Sequence, residues 1–141
     1  MEVLEWTLRA AGIGHFMLVA ASTRAPKALG WKAELATLRP LTRQIFTTQA
    51  AYILVINFLI GLLAVAAPGL LLDASPLATI VVCFIFAYWA VRVILQLTYF
   101  DPTDAPQGLK YKVAEWGFLG LFIFFAAAFG WAAVNNFMEM P

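Results

Sequence analysis

One arginine, Arg92, lies inside a long apolar stretch of the sequence, and its charge is the clearest sign of chemistry in the chain. A charged side chain at membrane depth is costly, so it normally faces protein or water and marks a functional site. Tyr88 stands four residues before Arg92, while Gln96 and Tyr99 stand four and seven residues after it. This helical spacing predicts one polar stripe on which the arginine can bind an anionic group.

Polar residues of the other apolar stretches are predicted to gather near this stripe. Gln49 and Tyr52 belong to the second stretch, and Glu115 lies where the last one begins. The amides of Gln49 and Gln96 also fit a role as interhelical hydrogen-bond partners. We therefore predict a ligand-binding cluster at one end of the protein, made of the following side chains: His15, Gln49, Tyr52, Tyr88, Arg92, Gln96, Tyr99 and Glu115.

The charge of Arg92 has two further interpretations, which the sequence leaves open. The side chain can form a structural ion pair with Glu115 or with Asp101, which follow it in the chain. It can also extend towards the membrane surface and contact a lipid phosphate, because the long arginine stem lets its head reach the interface. In each interpretation the guanidinium meets an anion.

His15 is the only histidine in the chain, and a lone histidine at membrane depth is typical of a hydrogen-bonded packing residue. A haem held by two histidines would need a second imidazole from another chain, whereas a pigment with a single axial ligand needs His15 alone. Cys83 is the only cysteine, so no cysteine-based metal site or internal disulfide is possible. We predict neither a metal nor a cofactor.

The composition indicates an integral membrane protein. Of the 141 residues, 63% are hydrophobic and only 12% are charged, which is far from the balance of a soluble domain. The nine basic and eight acidic side chains leave no basic excess with which to neutralise nucleic-acid phosphates. The expected partner is therefore membrane lipid, and nucleic acid is not expected.

Four apolar stretches predict an all-α, polytopic bundle of four transmembrane helices that forms a single domain over residues 1–141. A crossing needs about 20 apolar residues. The first stretch is interrupted by Arg9, so it must include the turn that precedes this residue. The predicted helices cover about 4–23, 45–67, 77–99 and 113–136.

Two connections carry local signals of their own. Trp31, Leu35 and Leu38 fall on one face of a helix, which predicts a short interfacial helix over about 31–39 on the cytoplasmic side, ended by Pro40. The segment 101–108 reads DPTDAPQG, which is typical of an exposed turn. Both connections lie on the same side of the predicted bundle.

The distribution of basic residues predicts the orientation. Seven of the nine lie in the two connections on this side, one lies in the third predicted helix, and only Arg9 lies near the opposite side. The positive-inside rule therefore places both connections in the cytoplasm and both termini outside. Short connections and the lack of an Asn-X-Ser/Thr sequon favour a bacterial inner membrane.

Three classes of function remain open. The first is a small accessory subunit of a larger membrane complex, or a self-associating bundle, that binds a lipid or lipophilic molecule at the polar cluster on the inner-leaflet side. The second is a membrane enzyme for a lipophilic substrate with an anionic head group, in which Arg92 binds the head, His15 moves a proton and Glu115 or Tyr88 orients it. The third is a transporter or channel protomer, which the apolar outer halves of the helices disfavour.

Overall fold

The protein is described by a computed structural model, which covers residues 1–101 and 103–140. Pro102, in the predicted turn, and Pro141 lie outside the described residues. The described residues form helices and no strands. The helices, in chain order, are α1 Glu2–Ser22, α2 Ala25–Ala28, α3 Trp31–Ala36, α4 Pro40–Ala66, α5 Pro68–Leu71, α6 Pro76–Thr98 and α7 Leu109–Glu139.

Three of these helices, α4, α6 and α7, are long and apolar enough to cross a membrane. They correspond to the second, third and fourth predicted spans. Their presence confirms the prediction of an all-helical integral membrane protein. The fourth crossing, predicted for the first helix, stays a prediction, although α1 is a helix of 21 residues.

The helix ends differ from the predicted ones because proline and polar residues can belong to a helix outside its apolar part. Helix α4 begins at Pro40 rather than near residue 45, because proline lacks only an N–H that has no partner in the first turn of a helix. Pro40 thus begins a helix instead of ending the preceding one. Helix α7 likewise extends beyond both predicted ends and includes Lys110 and Lys112. Apolarity sets how much of a helix suits a membrane, but polar residues can continue the same helix outside it.

Helix α1 packs closely against α4 at two glycines. A Cβ atom on Gly12 would lie 2.7 Å from the carbonyl oxygen of Gly61, and a Cβ on Gly61 would lie 3.0 Å from that of Gly12. Only the missing side chains allow the two backbones to approach this far. Arg9 binds α4 further along, where its Nη1 donates to the carbonyl oxygen of Val65 at 2.7 Å.

The long helices follow one another in space in the order α4, α1, α7 and α6. Asn136 near the end of α7 donates to the carbonyl oxygen of Leu71 in α5 at 2.9 Å. At the opposite end of the bundle, the Tyr111 hydroxyl lies 3.3 Å from the carbonyl oxygen of Ala28. Both chain termini therefore lie at the end where α4 gives way to α6, and the two basic connections share the other end.

The short helix predicted over 31–39 is found as α3, which is only six residues long. The Trp31 ring meets the Phe46 ring of α4 edge to face, with centroids 5.1 Å apart. Part of its predicted apolar stripe therefore faces α4. A position at the membrane surface stays a prediction.

Candidate ligand-binding site

Arg92 lies on α6 between two aromatic rings. Its guanidinium carbon is 4.8 Å from the ring centroid of Phe100 and 5.0 Å from that of Phe122 on α7. A cation is attracted to the negative face of an aromatic ring, and this attraction strengthens where water is excluded. The two phenyl groups thus hold the half-buried guanidinium in place between α6 and α7.

The Nη1 atom of Arg92 is buried, and it has no hydrogen-bond partner among residues 1–101 and 103–140. The two rings attract the positive charge but accept no strong hydrogen bond from it. A buried donor left in this state costs about 1–3 kcal/mol, and more for a charged group. An oxygen acceptor within reach of this atom would remove that cost.

Arg92 lies at the wall of an open cleft of about 590 Å³ between α6, α7 and the connection that joins them. Phe118 and Phe122 of α7 provide an apolar wall, and Leu29 from the other connection closes one side. Gln96 lines the cleft one turn along α6 from Arg92. A cleft that combines apolar walls with charged and amide side chains suits an amphiphilic molecule.

The rim of the cleft carries charges of both signs. Asp101 accepts a hydrogen bond at 2.9 Å from the backbone N–H of Thr103 and another from the hydroxyl of that residue, and these bonds hold the pKa of its carboxyl below the usual range. Lys112 and Glu115 also line the rim, and both are exposed. Water and salt screen these exposed charges, so the half-buried Arg92 dominates the attraction for an anion inside the cleft.

A second, smaller cavity of about 140 Å³ lies on the other side of Arg92, between α1, α4 and α6. Arg92 and Phe122 line both cavities. The polar residues of the smaller cavity are Ser22, Asn57 and Tyr88, and its other walls are mostly apolar. The arginine therefore stands between the larger cleft and this smaller cavity.

His15 lies in the aromatic core and lines neither of these two cavities. Its Nδ1 lies 2.8 Å from the carbonyl oxygen of Ala11, and its Nε2 accepts a hydrogen bond of 3.1 Å from Trp89 Nε1. The indole can only donate, so Nε2 is the acceptor and the hydrogen is on Nδ1. The ring also stacks on Phe125, with centroids 4.0 Å apart.

With both ring nitrogens engaged, His15 is not placed to exchange a proton with a ligand at Arg92. His15 and Arg92 do not share either cavity, and the predicted role of His15 in a membrane enzyme stays a prediction. Axial ligation of a haem or pigment by His15 would require loss of the Trp89 hydrogen bond. In the described part of the chain, no three His, Cys, Asp or Glu side chains come together as a metal site would require.

The structure brings part of the predicted cluster together and separates the rest. Arg92, Gln96 and Glu115 line the open cleft, and Tyr88 joins Arg92 at the internal cavity. The remaining predicted side chains line neither cavity: His15 is buried in the core, and the exposed ones are Gln49, Tyr52 and Tyr99. On α4 the inward-facing polar residue is Asn57. It lies five residues after Tyr52, which is about 140° around the helix, so the two side chains point in different directions.

The predicted site residues do not include Phe118 or Phe122, which form the aromatic wall of the cleft. Phe118 and Phe122 follow Glu115 at i+3 and i+7, so they share one face of α7 with it. The spacing rule that identified the polar stripe on α6 would have found this face. Phe100, which holds the other side of Arg92, lies beyond the end of α6 and follows no helical pattern.

Comparison of the chain with protein-family models, with curated proteins and with solved structures gives no match. The function is therefore argued from the chemistry of the site alone.

Proposed function

We propose that this protein is a small integral membrane protein that binds a lipid or another amphiphile with an anionic head group in the cleft beside Arg92. The observation that carries this proposal is the buried Nη1 of Arg92, which has no partner in the described chain and lies between two phenyl rings. A carboxylate or phosphate oxygen is the acceptor that such a donor binds most strongly. The apolar chain of the same molecule would cover the aromatic wall.

The position of Arg92 supports a ligand that comes from the membrane. It lies six residues before the last residue of α6, so it is about 9 Å from that end along the helix axis. An anionic head bound there would keep its chain within the apolar part of the bundle. A water-soluble anion would lose its hydration on entering a largely apolar cleft. An amphiphile pays the same desolvation cost, but burial of its apolar chain offsets it.

Arg92→Gln is expected to weaken this binding enough for the ligand to be lost during purification. Glutamine keeps a polar side chain of moderate length but removes the charge and the fork of donors, so affinity should fall about tenfold or more. The measurement is native mass spectrometry of the protein released gently from its own membrane. Arg43→Gln is the matched control, because Arg43 is an exposed arginine in the first turn of α4.

The proposal expects a stoichiometric small molecule on the wild-type protein and on the Arg43→Gln variant, and its loss from the Arg92→Gln variant. The proposal would be contradicted if the wild-type protein carried no small molecule, or if the Arg92→Gln variant retained the small molecule. The same mass spectrum also shows whether a second copy of the protein or a foreign chain remains bound. Either complex would support a role as a self-associating bundle or an accessory subunit.

We further propose that α1 is a fourth crossing. Three antiparallel contacts support this: Arg9 with Val65, Gly12 with Gly61, and Leu18 beside Ile53 at the internal cavity. Helix α1 therefore accompanies α4 over most of the membrane depth of that helix. Its 21 residues extend about 32 Å, which is sufficient for the hydrocarbon core.

The end of the bundle with the basic connections is proposed to face the cytoplasm of a bacterial inner membrane. In a Cys83→Ala background, Met138→Cys should react with a membrane-impermeant maleimide in spheroplasts, whereas Asp104→Cys should react only in inverted vesicles. The physical reason is the excess of Lys and Arg beside residue 104 and between α1 and α4. The opposite labelling pattern, or labelling of both sites in both preparations, would contradict this orientation.

A further inference from the structure

Asn57 on α4 has a buried oxygen without a partner. The residue is 4% exposed, and its Nδ2 donates to the carbonyl oxygen of Ile53 at 2.8 Å and lies 3.4 Å from the hydroxyl oxygen of Tyr88. Its Oδ1 has no hydrogen-bond partner within the residues that the structure describes. The alternative orientation of the Asn57 amide, with its oxygen and nitrogen exchanged, would place Oδ1 next to the carbonyl oxygen of Ile53, and two acceptors cannot share a hydrogen bond. The atom without a partner is therefore an acceptor, and it requires a donor.

Asn57 lines the same smaller cavity as Arg92. Both residues line the space of about 140 Å³ between α1, α4 and α6. Asn57 meets Tyr88, which precedes Arg92 by four residues, so the acceptor lies roughly one helical turn, about 6 Å along α6, from the arginine. The site thus presents one unused donor and, one turn deeper, one unused acceptor.

This pair of atoms constrains the chemistry of a ligand. An anionic group at Arg92 satisfies the donor, but Asn57 needs a hydroxyl or an amide N–H. The ester groups of a diacyl lipid offer only acceptors at this depth, and an acceptor placed against Oδ1 is unfavourable. The apolar walls at Leu18, Ile53 and Leu54 border a cavity too small for the start of two chains.

We infer that the ligand is a single-chain anionic amphiphile that carries a hydroxyl or amide N–H a few bonds from its anionic group, and that Asn57 Oδ1 accepts the hydrogen bond from it. This inference rests on the proposed function and adds the class of ligand to it. Arg92 binds the anionic group, Asn57 selects for the donor at the smaller cavity, and the chain covers the aromatic wall of the cleft. Asn57 is thus a specificity-determining residue.

The test compares two probes that differ in one hydroxyl. Oleoyl lysophosphatidic acid carries a free hydroxyl on its glycerol, whereas its deoxy analogue, 3-(oleoyloxy)propyl phosphate, has the same head charge, ester and chain without it. Wild-type protein in detergent should bind the first about fivefold more tightly, which is the effect of one neutral hydrogen bond. Asn57→Leu should remove this preference and still bind the deoxy analogue. Gln49→Leu is the matched control, since it removes an exposed amide from the same helix and should keep the preference.

The outcomes separate this inference from the proposed function. If neither probe binds, both are overturned. If both probes bind the wild type equally and both are lost at Arg92→Gln, the function stands and the selective role of Asn57 is wrong. Should Asn57→Leu fail to fold, the comparison of the two probes on the wild type alone still decides. Free glycerol phosphate should not displace oleoyl lysophosphatidic acid, and equal affinity for it would overturn an amphiphile as the ligand.

Discussion

Gly61→Leu is expected to separate α1 from α4 and to prevent stable folding. A Cβ at position 61 would lie 2.9 Å from the Cβ of His15 and 3.0 Å from the carbonyl oxygen of Gly12. These atoms belong to the backbone or are bonded directly to it, so no rotation of a side chain relieves the contact. Overpacking costs about 1–3 kcal/mol where side chains can adjust, and we expect the upper end or more here.

The measurement is the thermal transition of the purified protein in detergent, together with its yield of monodisperse protein. Gly120→Leu is the matched control: Gly120 lies within α7, and no heavy atom outside its local backbone stands within 4 Å of its added Cβ. The control should unfold at the wild-type temperature. A Gly61→Leu protein as stable as the Gly120→Leu protein would show that α1 and α4 do not pack as described.

Trp89→Ala should give the second large loss of stability. The Trp89 ring is almost wholly buried, lies 4.7 Å from the Phe125 ring between centroids, and donates to His15. Its truncation removes these contacts and leaves a cavity beside an imidazole nitrogen that has lost its donor. Replacement of a buried tryptophan by alanine costs about 3–5 kcal/mol.

The expected result is a fall in the midpoint of thermal unfolding that is much larger than for Trp116→Ala. Trp116 is the control because it lies on α7 with an exposed ring. Trp89→Phe should fall between the two, since it keeps an aromatic ring but no donor. Equal midpoints for Trp89→Ala and Trp116→Ala would contradict a core organised around the indole of Trp89.

The existence and order of the membrane helices could be predicted from the sequence because long uncharged stretches need no knowledge of their neighbours. The faces of the helices could not. In a soluble helix polarity separates the buried face from the exposed one, whereas lipid and protein core are both apolar. Phe122 is 5% exposed while the adjacent Ile123 is 49% exposed, and nothing in the two residue types distinguishes them.

The candidate site shows the same limit. Arg92 was identified because a charge in an apolar stretch stands out on any face. Tyr52 was grouped with it by depth alone, and the structure directs it outwards. The hydrogen bond between His15 and Trp89 joins residues 74 positions apart, so it depends on how α1 and α6 are rotated within the bundle. Such rotation is a property of the packed helices and leaves no local signal.

The place of Arg92 on the walls of both cavities has a consequence for stoichiometry. One guanidinium cannot fully neutralise two separate anions at membrane depth, where each uncompensated charge is costly. An anion that enters from the open cleft and one that enters from the smaller cavity must therefore compete. If the proposed ligand binds at Arg92, occupancy from one direction therefore weakens occupancy from the other, and each chain should carry a single anionic head at a time.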